Sequence, residues 1–432
     1  MSDPAIGVAG FAVLLVLIAL GVPVAVAMGA VGVVGFAVLG GWDGAAFVLG
    51  SVPFQAVYPY SLAVVPLFIL MGAFASRAGL SRALYDGVDS LVGHWPGGLA
   101  MATVGACAGF GAICGSSLAT VATMARVALP EMRRHGYDDR LAAGAVAAGG
   151  TLGVLIPPSI LLVVYALLTE QSIARLLVAA LVPGLLATAL YMAAVAVQVR
   201  VRPHLAPARE RRPPARRLAA ALGMWQVALL FAAIIGGIYL GVFSVTEAAA
   251  VGAFGAVGFA LAAGVGRASV VDGLAEAAST TAMIFLILVG AGLFNFFVDA
   301  SSVPIWLADR IAALAWPPTA VVVALMLFYL VLGCFMDSLS MMLLTVPFVF
   351  PVVLAMGIDP IWFGVLLVTA VEVGLITPPI GLNLFVIKSV EPTLGLGVVM
   401  RGSIPFVAAD LVRIALLVAL PQLSLWLPGR MG

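Results

Sequence analysis

Residues 149–168 read GGTLGVLIPPSILLVVYALL, and residues 374–390 read GLITPPIGLNLFVIKSV. Both stretches are apolar, and both carry a proline pair where a membrane helix would be at mid-length. A proline inside a helix has no N–H to give to the carbonyl four residues back. Pro157 therefore deprives the Gly153 carbonyl of its donor, and Pro158 that of Val154. Pro378 and Pro379 do the same to Gly374 and Leu375. Irregular backbone at membrane depth is tolerated only where it is buried in protein or lines a cavity. Each pair thus marks a broken helix.

The two stretches are also one pattern written twice. Gly374 lies 221 positions after Gly153, and the same offset joins Pro96 to Pro317, Ser117 to Ser338 and Pro130 to Pro351. It also joins Gly136-Tyr137-Asp138 to Gly357-Ile358-Asp359. An internal repeat of this length makes the chain two related halves.

Composition names the solvent. Hydrophobic residues make up 64% of the 432 positions and charged residues 9%, against about 25% charged in a soluble domain. The chain has material for ten or more spans of roughly 20 residues. Apolar runs fall at 5–40, interrupted at Gly21-Val22-Pro23, and at 57–76, 97–130, 141–168 and 176–199. In the second half they fall at 222–241, 245–264, 279–298, 317–351, 361–387 and 404–427. The intervals 77–94 and 299–313 are more polar; the first reads as an amphipathic surface helix. Residues 1–199 form the first repeat and 218–432 the second. The linker 200–217 carries Arg200, Arg202, Arg209, Arg211, Arg212, Arg216 and Arg217.

By the positive-inside rule this linker is cytoplasmic. Tracing back puts Arg133, Arg134 and Arg140 on the same side, as well as Arg77 and Arg82, with both termini periplasmic. The run 97–130 then begins and ends on one side of the membrane. Two limbs of roughly 15 residues reach about 22 Å each, past the middle of a roughly 30 Å core but not across it. It is expected to be a re-entrant hairpin, and 317–351 its counterpart from the opposite face. The fold expected is an all-α polytopic membrane protein of two inverted repeats, each with a hairpin and a Pro-broken span. Secondary transporters are built this way.

The chemistry follows from the breaks. Carbonyls freed near Gly153 and Gly374 are hard oxygen ligands suited to Na⁺. The hairpin tips, Gly115-Ser116-Ser117 and Gly333 to Asp337-Ser338, are expected to face them, Ser116 aligning with Asp337. Thr377 adds a hydroxyl to the second cage. Half-helix N-termini present N–H groups and a positive dipole end, favouring an anionic substrate between the cages. An ionisable group at membrane depth, such as Asp337, is costly and usually functional. Glu372 stands two residues before its break and is read as a support for it. Asp410 and Arg413, spaced i,i+3, read as a structural ion pair. Glu247, Asn295 and Asp299 near span ends are read as structural. Cys107, Cys114 and Cys334 read as small packing residues. His94, His135 and His204 fall in surface segments, which leaves no catalytic or metal histidine, and nothing in the charge pattern calls for nucleic acid.

The runs GSSLATVATMARVALPEMRRHGYDDRLA (115–142), the two proline stretches and SVTEAAAVGA (244–253) carry a family likeness. Together they resemble the large membrane subunit of a tripartite ATP-independent periplasmic (TRAP) transporter, across nearly the whole chain. The resemblance implies an elevator mechanism in the bacterial inner membrane, with hairpins and broken spans moving against a scaffold of outer helices. It implies Na⁺-coupled import of an organic acid delivered by a periplasmic binding protein, and a small four-helix membrane subunit. No such subunit precedes Met1, so a separate chain is expected. By motif matching, Na⁺ ligands would come from Ser116 or Ser117 with carbonyls near Gly153, Ile156 and Pro158, and from Gly333, Asp337, Gly374 and Thr377. Substrate contacts are expected at Ser117, Ser159, Ser338, Pro379 and Asn383. Arg126 departs from the family pattern and is read as reaching for the cytoplasm. The alternative is a stand-alone Na⁺/dicarboxylate symporter or antiporter of related architecture. An intramembrane enzyme would need a nucleophile with its base, paired carboxylates or a motif such as HExxH. A channel would need a ring of filter residues. Neither pattern is present.

Overall fold

The computed structural model describes residues 3–207 and 213–431; Arg209, Arg211 and Arg212 of the linker lie outside them. Among the described residues the chain is helical, with no strand. The first half runs α1 (Asp3–Ala19), α2 (Val24–Val57), α3 (Val64–Arg77), α4 (Leu80–Val92), α5 (Gly98–Cys114), α6 (Ser117–Arg134), α7 (Asp139–Leu155), α8 (Ile160–Leu168), α9 (Ile173–Ala179) and α10 (Leu181–Val201). The second half runs α11 (Pro214–Leu222), α12 (Trp225–Phe231), α13 (Gly237–Tyr239), α14 (Val245–Ala262), α15 (Arg267–Ala300), α16 (Val303–Ala313), α17 (Pro318–Gly333), α18 (Ser338–Ala355), α19 (Pro360–Ile376), α20 (Leu382–Val390), α21 (Leu396–Ala419) and α22 (Gln422–Leu425). Seven described helices are long and apolar enough to cross a membrane, up to nine if each bent pair is one span.

The repeat is visible atom by atom at the helix ends. Asp138 caps α7 by accepting from Arg140 N–H at 2.8 Å, and Asp359 caps α19 by accepting from the Ile361 and Trp362 N–H groups at 2.9 Å. Gly136 and Gly357 both take positive φ, +72° and +65°, which permits the turn before each cap. Ser116 and Asp337 cap α6 and α18. Ile156 and Thr377 end α7 and α19 in extended conformation, and the Pro157-Pro158 and Pro378-Pro379 bonds are both cis.

The broken helices are the centre of the molecule. Every residue from 141 to 155 and from 361 to 376 is buried. α7 packs against α19, each is held by the hairpin of its own half, and contacts then cross over: α6 meets α20 and α18 meets α8. On the outside, α2 packs along α15 and α3 along α14. Small residues bring backbones together here, as in other membrane bundles. A Cβ on Gly144 would stand 2.1 Å from the Gly402 carbonyl oxygen, so α7 and α21 touch through their main chains.

Three stretches differ from the hydropathy reading. α2 is two helices joined at a kink at Gly41 (φ +80°, ψ 165°): the first ends near 40, where the reading put it, and a second, running to Val57, fills an interval the reading left open. α15 begins at Arg267, not 279: its polar first turns are anchored by Arg77 of α3, which pairs with Glu276 at 2.9 Å and donates to the Ser269 carbonyl. α21 begins at Leu396 rather than 404. The expected span 222–241 is interrupted by a π turn over 232–236 and bends by 41° from α11.

Candidate functional site

The first hairpin turns at Gly115 (φ +64°) and Ser116, and its tip is pressed into the first break. A Cβ on Gly115 would come within 3.0 Å of the Pro158 carbonyl oxygen. One on Gly111 would stand 2.3 Å from the Gly153 Cα, and one on Gly153 would meet Thr120 Oγ1 at 2.7 Å and the Ser116 carbonyl oxygen at 3.2 Å. Glycine is therefore required where hairpin and broken helix touch. Around that contact converge the carbonyl oxygens of Ser116 and Pro158, the Thr120 hydroxyl and the Gly153 backbone. The sequence reading named Ser116, Gly153 and Pro158 but missed Thr120 and Gly111. Thr120 donates to the Ser116 carbonyl at 2.7 Å and is buried; its i,i+4 spacing from the tip was the available signal. Ile156 lies at the break as the end of α7, its N–H bonded to the Leu152 carbonyl.

The second hairpin repeats the arrangement. A Cβ on Gly374 would lie 2.5 Å from the Gly333 carbonyl carbon, so these two glycines face each other across the contact. Asp337 accepts from the Ser340 N–H at 3.0 Å. That is the helix-capping role of a short acid, and it leaves the other carboxylate oxygen available. Thr377 donates its hydroxyl to the Val373 carbonyl at 2.6 Å, which keeps its oxygen free to accept or ligate. One expectation needs amending. Pro378 does remove the i+4 donor of Gly374, but the carbonyl is not left bare, because the Thr377 N–H turns back to it at 3.2 Å.

Between the two breaks sits a contact that crosses the halves. Asn383 of α20 and Ser117 at the start of α6 hydrogen-bond at 2.8 Å, and the Asn383 amide also donates to the Ala147 carbonyl at 3.2 Å. Both side chains are buried, and Ser159 is buried beside the first break, capping α8 through the Leu162 N–H. Ser338 and Pro379 do not join this pair. Ser338 is half-buried, with no side-chain hydrogen bond among the described residues, and Pro379 is exposed. The breaks thus differ in access: residues 151–160 are buried throughout, whereas Thr377 to Pro379 reach the surface.

Other readings resolve as follows. Glu372 reaches across to another helix: its carboxylate pairs with Arg413 at 3.3 Å, and Arg413 also pairs with Asp410 at 2.9 Å. The i,i+3 pair is therefore a triad. Glu247 completes a capping box with Ser244 at the start of α14. Arg126 is exposed on α6. Among the described residues no three His, Cys, Asp or Glu side chains group as a metal site.

Hydroxyl and carbonyl oxygens with one carboxylate form a donor set for hard cations rather than for soft metals. Pseudo-symmetric broken helices, each held by its own hairpin, define a membrane transporter of the inverted-repeat class. The chain belongs to the family described as tripartite ATP-independent periplasmic transporter, DctM component, whose model matches residues 11–423. It is 38% identical over 382 residues to a C4-dicarboxylate TRAP transporter large permease protein of Pseudomonas aeruginosa, covering 88% of each chain. It is 32% identical to a sialic acid large permease of Vibrio cholerae (85% of this chain, 86% of that one). It is 30% identical to an ectoine large permease of Halomonas elongata (95% and 96%). The crystal structure of the Alcanivorax borkumensis YdaH transporter is similar in fold, with a TM-score of 0.62 at 16% identity, covering 88% of this chain and 89% of that one. The chain is a multi-pass inner-membrane permease component, not an enzyme.

Proposed function

We propose that this permease imports a small organic anion, a carboxylate or sugar acid, in symport with Na⁺. The observation that carries the reading is the oxygen-lined contact of each hairpin with its break: the Ser116 carbonyl and Thr120 hydroxyl at Gly153, the Pro158 carbonyl at Gly115, and Thr377 at the Gly333–Gly374 contact, with Asp337 capping the helix that leaves the second hairpin tip. Na⁺ is favoured over protons because oxygen ligands are abundant at the breaks, while Asp337 is their one carboxylate. Ser117 and Asn383, between the cages, would face the substrate, flanked by the N-termini of α6 and α8. The relatives are named for a dicarboxylate, sialic acid and ectoine. A site shared by such different molecules supports selection upstream of the permease, by a periplasmic binding protein.

In an elevator stroke the hairpins and broken spans would move as a body against α2, α3, α14 and α15; the packing of α2 along α15 and of α3 along α14 supports that division. A small membrane subunit would complete the scaffold as a separate chain. Both termini would be periplasmic and the 200–217 linker cytoplasmic, a topology that cysteine labelling from either side tests directly.

The functional test is uptake into proteoliposomes holding this chain with its small subunit, the binding protein outside, and Na⁺ and proton gradients imposed separately. Accumulation that requires both inward Na⁺ and the binding protein is expected. Uptake driven by a pH gradient without Na⁺ would overturn the coupling. Uptake indifferent to the binding protein would favour the stand-alone symporter.

A further inference from the structure

Thr151 and Glu372 are equivalent positions, 221 residues apart, each two residues before the glycine of its break. They are connected through the second layer of the molecule. The Thr151 hydroxyl lies between the Ala148 carbonyl, at 2.8 Å, and the Tyr191 hydroxyl, at 3.1 Å. Tyr191 donates to Asp410 Oδ2 at 2.7 Å. Asp410 Oδ1 pairs with Arg413 Nη2 at 2.9 Å, and the same nitrogen pairs with Glu372 Oε2 at 3.3 Å. The guanidinium carbon lies 6.0 Å from the centre of the Tyr191 ring, over its face. Thr151, Glu372, Asp410 and Arg413 are 0% exposed and Tyr191 is 1% exposed, so every link is shielded from bulk water. The carriers, α10 and α21, are themselves the corresponding closing helices of the two halves.

We propose that Tyr191, Asp410 and Arg413 are positioning residues that couple the two cation sites. The proposal rests on the reading of the breaks as Na⁺ sites and extends it: filling one site sets the affinity of the other through this chain of contacts. Two features point to coupling and not to a plain bolt. The links end at equivalent points in both halves, so a shift of either helix end moves the same three side chains. The chain also holds spare capacity, since among the described residues Arg413 Nε and Nη1 and Glu372 Oε1 have no hydrogen-bond partner. One guanidinium facing two carboxylates can therefore re-pair when a break moves, which supplies the two-state element that coupling between distant sites requires.

The test is the Na⁺ dependence of uptake at fixed substrate, in the assembled transporter, with Tyr191→Phe and Thr151→Val measured beside wild type at matched membrane abundance. Each variant deletes one hydroxyl and keeps the packing. A sigmoidal wild-type curve is expected, with both variants losing steepness towards a Hill slope of one. Their half-saturating Na⁺ should rise about fivefold or more, the lower end of ordinary coupling. Variants that lower only the maximal rate, or that leave the curve unchanged, would overturn the coupling while leaving Na⁺ symport intact, as would a hyperbolic wild-type curve. Wild-type uptake indifferent to Na⁺ would instead overturn the functional reading itself.

Discussion

Gly333 and Gly374 meet backbone to backbone, with no room for a methyl group on the Gly374 side: a Cβ there would stand 2.5 Å from the Gly333 carbonyl carbon and 2.8 Å from its oxygen. The reverse substitution is easier, since a Cβ on Gly333 would find its nearest neighbour at 3.2 Å. Gly374→Ala is therefore expected to be the more damaging, at about 1–3 kcal/mol of overpacking. Gly333→Ala should retain measurable uptake. Thermal stability of the two purified variants, set against their uptake rates, checks the order.

Asp337 holds two roles that substitution separates. Asn caps a helix about as well as Asp, while Ala costs about 0.5–2 kcal/mol at a cap. Asp337→Asn should keep the melting temperature and lose Na⁺ affinity, whereas Asp337→Ala should lose both. Thr377→Ala should likewise weaken Na⁺ dependence with expression intact, and Thr377→Ser should restore most of it. Asp337→Asn and Thr377→Ala both with wild-type Na⁺ curves would remove the second cage from the account.

Asn383 joins the halves at the proposed substrate position. Asn383→Leu leaves the Ser117 hydroxyl and the Ala147 carbonyl without their shared partner, about 1–3 kcal/mol for a buried unsatisfied group. Uptake is expected to fall at least about tenfold, which corresponds to 1.4 kcal/mol. Ser117→Ala should fall less, because Asn383 keeps its bond to Ala147. Equal losses in the two variants would contradict this order.

At the base of the first hairpin, Arg133 pairs with Asp139 at 2.7 Å and with Glu391 at 3.2 Å, and Thr393 donates to Glu391. The Thr393 hydrogen bond, aided by Arg133, holds the Glu391 carboxyl below its ordinary value. A depressed carboxylate stabilises the fold above its unfolded pKa and loses that contribution as pH falls through the folded value. Glu391→Gln should thus lower stability slightly at pH 7, by less than about 1 kcal/mol because the pair is partly exposed, a loss read from the melting temperature. The difference from wild type should shrink as pH falls below the ordinary carboxylate range and vanish only below the depressed folded value. A difference that persists in acid would assign Glu391 a role independent of its charge.

Much of this was legible in the residues. Pro157-Pro158 and Pro378-Pro379 locate both breaks because a missing N–H acts locally, whatever the surroundings. The offset of 221 pairs Ser116 with Asp337 and Asp138 with Asp359, which turn out to cap equivalent helices. What hydropathy could not see were extensions in polar company. The first turns of α15 look like loop until Arg77, nearly two hundred residues earlier, supplies their anchor. Glu372 was legible as a support for its break, but the partner through which it acts, Arg413, is on a different helix and out of reach of local spacing. Thr120 escaped notice because its i,i+4 spacing from the hairpin tip, the one signal it carries, gains meaning only when Gly153 is set against it. The proposed substrate set was only partly assembled: Ser117 and Asn383 meet, while Ser338 and Pro379 stand apart.

The oxygens around the first break belong mostly to the main chain. Every amino acid carries a carbonyl, so no replacement at Ser116 or Pro158 deletes the atom that would do the holding. Alanine scanning across that segment measures shape alone, and a site built this way can look dispensable in a mutant survey while serving in every transport cycle. Amide-to-ester replacement in the backbone, which weakens a single carbonyl, is the perturbation matched to it.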